Sequence, residues 1–339
     1  PSAPETVYQE FREDILPYAM HTSHPLFWSW YMGSGNVLGA LGDFMAAILN
    51  PNLGGGNHSA PLVEAQVIGW MRDMLGMPAQ SSGLLTSGAS MANFTALTVA
   101  RNSHCGFDVR HEGVSAAPGQ LTVYASTEVH SCNQKAVETL GLGTRGLRYV
   151  PVLEDFTLDI EALRRQVAED RSNGLVPFCV IATSGTINTG AIDDLNAIAD
   201  FCAEEDLWFH IDGAIGAVAI LAENVRDSLA GIERAREDVG HFARGDLDRQ
   251  IGLPLRAGHH RGHRWPQPDG PGAAPTASHL ETDIDSQRGR RRTFPAQHGR
   301  ENDLEVVFRG QGRGCCICHF PRQYRYVGAA CQRLMRCRF

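Results

Sequence analysis

The chain has 339 residues, 43% of them apolar, and a net charge of −8. That length holds one large α/β domain or two smaller ones, with enough apolar surface for a real core. No apolar run is long enough to span a bilayer and no basic-then-apolar leader is visible, so a soluble, cytoplasmic protein with no membrane partner is expected.

The opening segment is rich in aromatic and small residues: His24-Pro25-Leu26-Phe27-Trp28-Ser29-Trp30-Tyr31, then Gly33-Ser34-Gly35. Apolar spacing predicts a helix over 37–49 and, after a Gly54-Gly55-Gly56 turn, an amphipathic helix over 61–75 that stops at Gly76. Residues 83–88 read as a turn before a helix over 90–101. From there strands are predicted at 121–125, 178–183 and 207–212, and helices at 131–140 and 194–204. This alternation argues for an α/β fold, a mainly parallel sheet flanked by helices. Ligands of such sheets bind beyond the carboxyl ends of the strands, and His130, Thr186 and Asp212 lie at or just past those ends. Cys105, Cys132, Cys179 and Cys202 sit in apolar or helical contexts and read as reduced, structural thiols.

The character of the sequence changes after Ala235. Residues 1–235 carry 12 Lys+Arg against 27 Asp+Glu, whereas residues 236–339 carry 18 Arg against 11 Asp+Glu. Periodicity fades, and no strand–helix pattern returns before 304–308. Arg, Gly, Pro, Ala and His are what GC-rich codons give when read out of register. Residues 236–339 are therefore read as a divergent Arg-rich tail, frame-shifted or disordered, rather than as an arm for an acidic partner. The Arg288–Arg292 cluster lacks interleaved aromatics, so no nucleic-acid partner is expected. Cys315-Cys316-Ile317-Cys318-His319 has the C-x-x-C-H spacing of haem attachment, but cysteines crowd this tail and the match is expected to be chance; no metal is expected.

Four short stretches carry candidate chemistry. Thr86-Ser87-Gly88-Ala89-Ser90-Met91-Ala92-Asn93 is a small-residue turn opening a helix, where backbone N–H groups and hydroxyls hold a phosphate or Ser90 merely caps. His130 follows a strand and precedes a helix; it stacks on a planar ring, shuttles protons or caps. Ala182-Thr183-Ser184-Gly185-Thr186-Ile187-Asn188-Thr189-Gly190 is a loop after a buried strand, explained by turn chemistry or by cofactor contact. Trp208-Phe209-His210-Ile211-Asp212-Gly213-Ala214 puts a carboxylate at the end of a buried strand, before two small residues. Burying that charge calls for a partner, for which a protonated ring nitrogen, a helix cap or a salt bridge would serve.

In order and spacing these stretches resemble the group II pyridoxal-phosphate-dependent amino-acid decarboxylases, from about Phe11 to Ala235. His24-Pro25 with the following aromatics, Glu64, and Gly231-Ile232-Glu233-Arg234-Ala235 add to the resemblance. It implies a fold-type I pyridoxal-phosphate transferase-like architecture, a homodimer, and an L-amino-acid substrate, aromatic by preference because of Trp28, Trp30 and Tyr31. By position it implies that Ala89 and Ser90 hold the cofactor phosphate and His130 stacks on the pyridine ring. Thr186 would lie near the cofactor, Asp212 would pair with the ring nitrogen, and Ala214 would pack on the ring. Trp30 and Tyr31 would line the substrate pocket, and Ile187 stands where many relatives have threonine. The organisation expected is an N-terminal segment over 1–60, an incomplete large cofactor domain over 61–235, and the tail.

The resemblance breaks where the family places its Schiff-base lysine. Lysine occurs once, at Lys135. The lysine position falls on Arg244 without gaps, or on Arg249 in a shifted register, and a guanidinium makes no useful imine. Lys135 lies more than one helical turn beyond His130 and is expected to face solvent. The chain is thus expected to be an impaired decarboxylase or an inactive cofactor-binding or dimerising remnant.

Overall fold

The computed structural model describes residues 2–22, 24–28, 35–51, 58–235, 303–309 and 314–321, the last two as backbone strands. Three helices come first: α1 (Pro4–Glu10), α2 (Val37–Leu49) and α3 (Ser59–Met74). Asn36 caps α2 through a 2.8 Å bond from Gly39 N–H to its Oδ1, and Asn50 ends it in the left-handed region at φ 39°. The alternating units follow: β1 (Ser82–Thr86), α4 (Ala89–His104), α5 (Val109–Glu112), β2 (Leu121–Ser126), α6 (Ser131–Thr139) and β3 (Leu147–Val150). Next come α7 (Ile160–Ser172), β4 (Val176–Thr183), α8 (Leu195–Glu204) and β5 (Trp208–Gly213). The strands β6 (Asp303–Arg309) and β7 (Gly314–Pro321) complete the set.

The sheet order is β1-β6-β7-β5-β4-β2-β3. β3, β2, β4, β5 and β7 pair in parallel, and β6 runs antiparallel to both β7 and β1. Strand β1 therefore points with the parallel majority, and the carboxyl ends of β1, β2, β4 and β5 share one edge. This is the mainly parallel, helix-flanked sheet that the alternation predicts.

Strand pleating divides the core in two. Tyr124, Val180, Ala182, Phe209 and Ile211 face one layer, with Met71 of α3, Leu163 and Val167 of α7, and Phe201 of α8. Leu121, Val123, Ala125, Ile181 and Trp208 face the other, with Ala96, Leu97 and Ala100 of α4 and Ala136 and Val137 of α6. By the same alternation His210 and Asp212 share the face of Trp208, beneath α4 and α6.

One buried polar cluster sits in the first layer. Arg148 of β3 grips Asp170 of α7 with two bonds of 2.8 Å, and the Tyr124 hydroxyl donates to the same carboxylate at 2.8 Å. Burial pushes the Tyr124 hydroxyl well above its ordinary pKa. On β1, the Leu85 N–H donates to Glu64 Oε1 of α3 at 3.0 Å. Among the described residues one apolar face stays open: Val37, Leu38, Leu41, Phe44, Ile48 and Leu49 of α2 are 55–83% exposed. No helix among the described residues is long and apolar enough to cross a membrane.

Two expectations need correction. Residues 83–88 are not a turn: Ser82–Thr86 forms β1, because Leu84-Leu85-Thr86 favours extended chain and Glu64 satisfies its backbone. The unit of β3 and α7 went unforeseen, although Asp159 caps α7 through Ala162 N–H at 2.9 Å and the buried Leu163 and Val167 recur at helical spacing. Of the segment after Ala235, only β6 and β7 fall among the described residues.

Asp193 ties β4 to the chain after β3. Its Oδ2 accepts from Thr183 N–H at 2.7 Å and its Oδ1 from Leu158 N–H at 2.8 Å. Burial raises its pKa to about 6, against the pull of those two bonds. Unfolded aspartate titrates near ~4. The protonated form is thus favoured on folding, so this stabilisation is complete below about pH 4 and is lost as pH rises through about 6. Asp193→Asn removes this titration and leaves one backbone N–H facing an amide N–H, at a cost of about 1–3 kcal/mol. Urea midpoints should show the variant's deficit largest in acid and shrinking toward neutral pH. A deficit that grows with pH would contradict this assignment.

Candidate active site

Asp212 ends β5 at 5% exposure. Its Oδ2 accepts from Asn133 Nδ2 at 2.8 Å and from Asn93 Nδ2 at 3.2 Å, and its Oδ1 from Ala214 N–H at 3.3 Å. Among the described residues these donors are all uncharged. Asn93 stands one turn into α4 and Asn133 near the start of α6, so two helices reach down to one carboxylate. Asn93 also meets His210 Nε2 at 2.8 Å through its Oδ1 and the Ala89 carbonyl at 3.1 Å through its Nδ2. His210 is fully buried.

Both helix N-termini open on the carboxyl edge of the sheet. Helix α4 begins at Ala89 after Gly88, with no side chain capping it. Its first N–H groups and its dipole are therefore available to an anion. At α6, His130 is the capping residue: its Nδ1 accepts from Cys132 N–H at 3.2 Å. Among the described residues no partner reaches the buried Ser126 Oγ, Thr183 Oγ1, Ser184 Oγ or Asn133 Oδ1. The first three lie at the ends of β2 and β4, on this same edge.

The loops after β4 and β5 are bound backbone to backbone. Ser184 N–H donates to the Asp212 carbonyl and Gly216 N–H to the Ser184 carbonyl, each at 2.9 Å. Gly185 has φ 90°. A Cβ on Gly216 would lie 2.3 Å from the Ser184 oxygen. Thr186 is buried, its hydroxyl 2.6 Å from that of Thr189 and 3.2 Å from Ala191 N–H.

The structure brings Ala89, Ser90, His130, Thr186, Asp212 and Ala214 to one edge. Asp212 and Thr186 are buried, Ala89 and Ala214 half-buried, Ser90 and His130 exposed. Ser90 is not the helix cap: α4 starts one residue earlier, and Gly88 takes the capping position. Trp30, Tyr31, Arg244 and Arg249 lie outside the described residues. Lys135 is on α6 and exposed. Asn93, Asn133 and His210 were not singled out from sequence. A signal was present: Asn93 is the fifth residue of α4 and Asn133 the third of α6, both in the first turn or just past it, and His210 precedes Asp212 by the two-residue strand period. Among the described residues no cluster of His, Cys, Asp and Glu is arranged to hold a metal ion.

An uncapped helix start above a parallel sheet, with a buried carboxylate a turn away, suits a ligand that is anionic at one end and basic at the other. A phosphorylated, nitrogen-containing cofactor has that make-up. Comparison with known proteins gives the family: the model of the pyridoxal-dependent decarboxylase conserved domain matches residues 1–237, and the chain belongs to that family. The aromatic-L-amino-acid decarboxylase of Bacillus atrophaeus is 37% identical over 236 residues, 69% of this chain and 47% of that protein. The human acidic amino acid decarboxylase GADL1 is 33% identical over 228 residues, 67% of this chain and 43% of that protein. Mouse CSAD superposes with a TM-score of 0.63 at 32% identity, covering 69% of this chain and 48% of that one. A glutamate decarboxylase domain from Vibrio parahaemolyticus gives 0.64 at 29% identity, covering 69% and 51%. The chain thus spans just under half the length of the curated relatives it matches.

The family's cofactor is pyridoxal 5'-phosphate, and the residues present fit it. The α4 N-terminus offers donors that no capping side chain occupies among the described residues. Asp212 Oδ1 retains accepting capacity, and unpartnered hydroxyls line the same edge.

This cradle depends on the close backbone approach at Gly216. Gly216→Ala drives a methyl into the Ser184 carbonyl and should lower stability by about 1–3 kcal/mol. Gly190→Ala, at φ 74° with open space around it, should lose only about 1 kcal/mol of left-handed strain. Denaturation midpoints of the two variants compare the effects, and equal losses would speak against a steric clash at Gly216.

Proposed function

We propose that this site is that of a pyridoxal-phosphate-dependent amino-acid decarboxylase, and that this chain is impaired in the reaction because its only lysine is Lys135. The observation that carries the reading is the buried Asp212 on β5, one helical turn from the uncapped start of α4. In this reading Ala89 and Ser90 bind the cofactor phosphate through the α4 N-terminus. His130 stacks on the pyridine ring, Ala214 packs on its other side, and Thr186 borders it. Asp212 accepts a hydrogen bond from the ring nitrogen and keeps it protonated. Bound there, the cofactor supplies an electron sink for the pair released when carbon dioxide leaves. The protein's part is to fix the ring plane so that the breaking bond stands against it.

The substrate is an L-amino acid, aromatic by preference. Trp30 and Tyr31, which the family resemblance assigns to the substrate pocket, and the 37% identity to an aromatic-L-amino-acid decarboxylase support this choice. The covalent anchor is what the chain lacks. Lys135 is exposed on α6, and arginine stands at both positions where the anchor is sought, Arg244 and Arg249. The family match ending at residue 237 supports reading the rest as a shifted frame or degenerate gene. A homodimer is part of the proposal, supported by the exposed apolar face of α2, as is a cytoplasmic setting, supported by four buried cysteines that are free thiols. The second reading, an inactive cofactor-binding or dimerising remnant, rests on the same missing lysine.

The experiment is an absorbance spectrum of the purified chain with pyridoxal phosphate, then borohydride reduction and peptide mapping. Bound cofactor with no trapped adduct is expected. An adduct at Lys135 would overturn the impairment, and failure to bind the cofactor would overturn the reading of the site.

A further inference from the structure

The hydrogen bonds around Asp212 have a direction. The Asn93 amide nitrogen faces three acceptors, Asp212 Oδ2 at 3.2 Å, the Ala89 carbonyl at 3.1 Å and Cys132 Sγ at 3.4 Å. Its oxygen therefore faces His210 Nε2, at 2.8 Å. An amide oxygen only accepts, so His210 carries a proton on Nε2. The line runs from His210 through Asn93 to Asp212, each group donating to the next. Asn133 joins it at 2.8 Å, on the same oxygen, Oδ2. Among the described residues the other oxygen receives one long bond, from Ala214 N–H at 3.3 Å.

Two amides on one oxygen stabilise the anion in a site where burial alone would oppose it. They also stop the carboxylate from rotating, and they leave Oδ1 as the oxygen with capacity to spare. Building on the pyridoxal-phosphate reading above, we propose that Asn93 and Asn133 are positioning residues for the cofactor's ring nitrogen. They act through Asp212, holding the carboxylate in one orientation with its Oδ1 free, while His210 fixes the orientation of Asn93. The asymmetry between the two oxygens carries the argument. Amides placed only for packing have no need to converge on one oxygen, and Asn133 Oδ1 finds no partner among the described residues. The donor end of Asn133 is the end the structure uses.

The test uses the full chain and pyridoxal phosphate labelled with ¹⁵N in the ring. Fluorescence quenching reads affinity, and the ¹⁵N shift reads ring protonation, from mildly acidic to mildly alkaline pH. Asn133→Leu keeps the γ-branched shape and removes the donor. Affinity should fall roughly tenfold to a hundredfold, and the ring should lose its proton at lower pH than in the parent chain. Asn133→Asp sets a second carboxylate against Asp212, and two such groups do not both ionise readily. In acid its protonated form donates as the amide does, so affinity should return toward the parent value. As pH rises it should fall below that of N133L. The other titratable groups around this oxygen are His210 on β5 and Cys132 and His130 on α6; α4 presents the neutral Asn93. The parent chain shares these groups and serves as the reference.

Parent-like affinity and ring titration in N133L, with no pH step in N133D, would overturn the proposal while leaving the site reading intact. A parent chain that binds no cofactor would overturn both. If N133L does not fold, the pH step within N133D decides alone, since its acid and neutral forms are compared in one protein.

Discussion

A carboxylate buried at the end of the central strand β5, with no cationic side chain bonded to it among the described residues, is the constraint around which this molecule is arranged. Ionised Asp212 at 5% exposure would be costly if it stood alone. Asn93, Asn133 and the Ala214 N–H meet that cost with uncharged donors. To deliver them, α4 and α6 must lie side by side on one face of the sheet with their N-termini at the same edge. The packing achieves this through small residues, Ala96 and Ala100 on α4 and Ala136 on α6, which let the helices settle close over β2 and β4. Arg101 of α4 secures the far end by bonding the Leu140 carbonyl at the end of α6, at 3.0 Å. Core packing and site geometry are in this sense one requirement.

The architecture was readable from sequence wherever periodicity was strong. The helix over 37–49 agrees with α2 at both ends, and the strands around 121–125, 178–183 and 207–212 differ from β2, β4 and β5 by one or two residues. Reading failed where a short element depends on distant partners. Strand β1 contains Gly83 and resembles a turn; it is extended because β6 pairs with it and Glu64 accepts from Leu85. Strand β3 is four residues long and half polar, and Arg148 belongs there only because Asp170 waits on α7.

The site was legible at its chemical extremes and hidden between them. Asp212 announced itself as a charge in an apolar strand, and the turn before α4 by its run of small residues. Asn93 and Asn133 did not, because an asparagine in a helix reads as neutral filler until the carboxylate it faces is known. The expectation that Lys135 faces solvent agrees with its exposure on α6. Trp30 and Tyr31, assigned to a substrate pocket by family resemblance alone, lie outside the described residues.

The contact between Gly185 and Gly216 has a thermodynamic side. Loops that carry ligand-binding groups often become ordered only when the ligand arrives, and the lost freedom subtracts from affinity. Here the chains leaving β4 and β5 are already bonded to each other through Ser184, with no side chain between them. Their entropy is surrendered when the protein folds. A ligand entering at this edge meets a surface that is already assembled, so an anchor formed by hydrogen bonds alone retains more of its strength than it would on mobile loops.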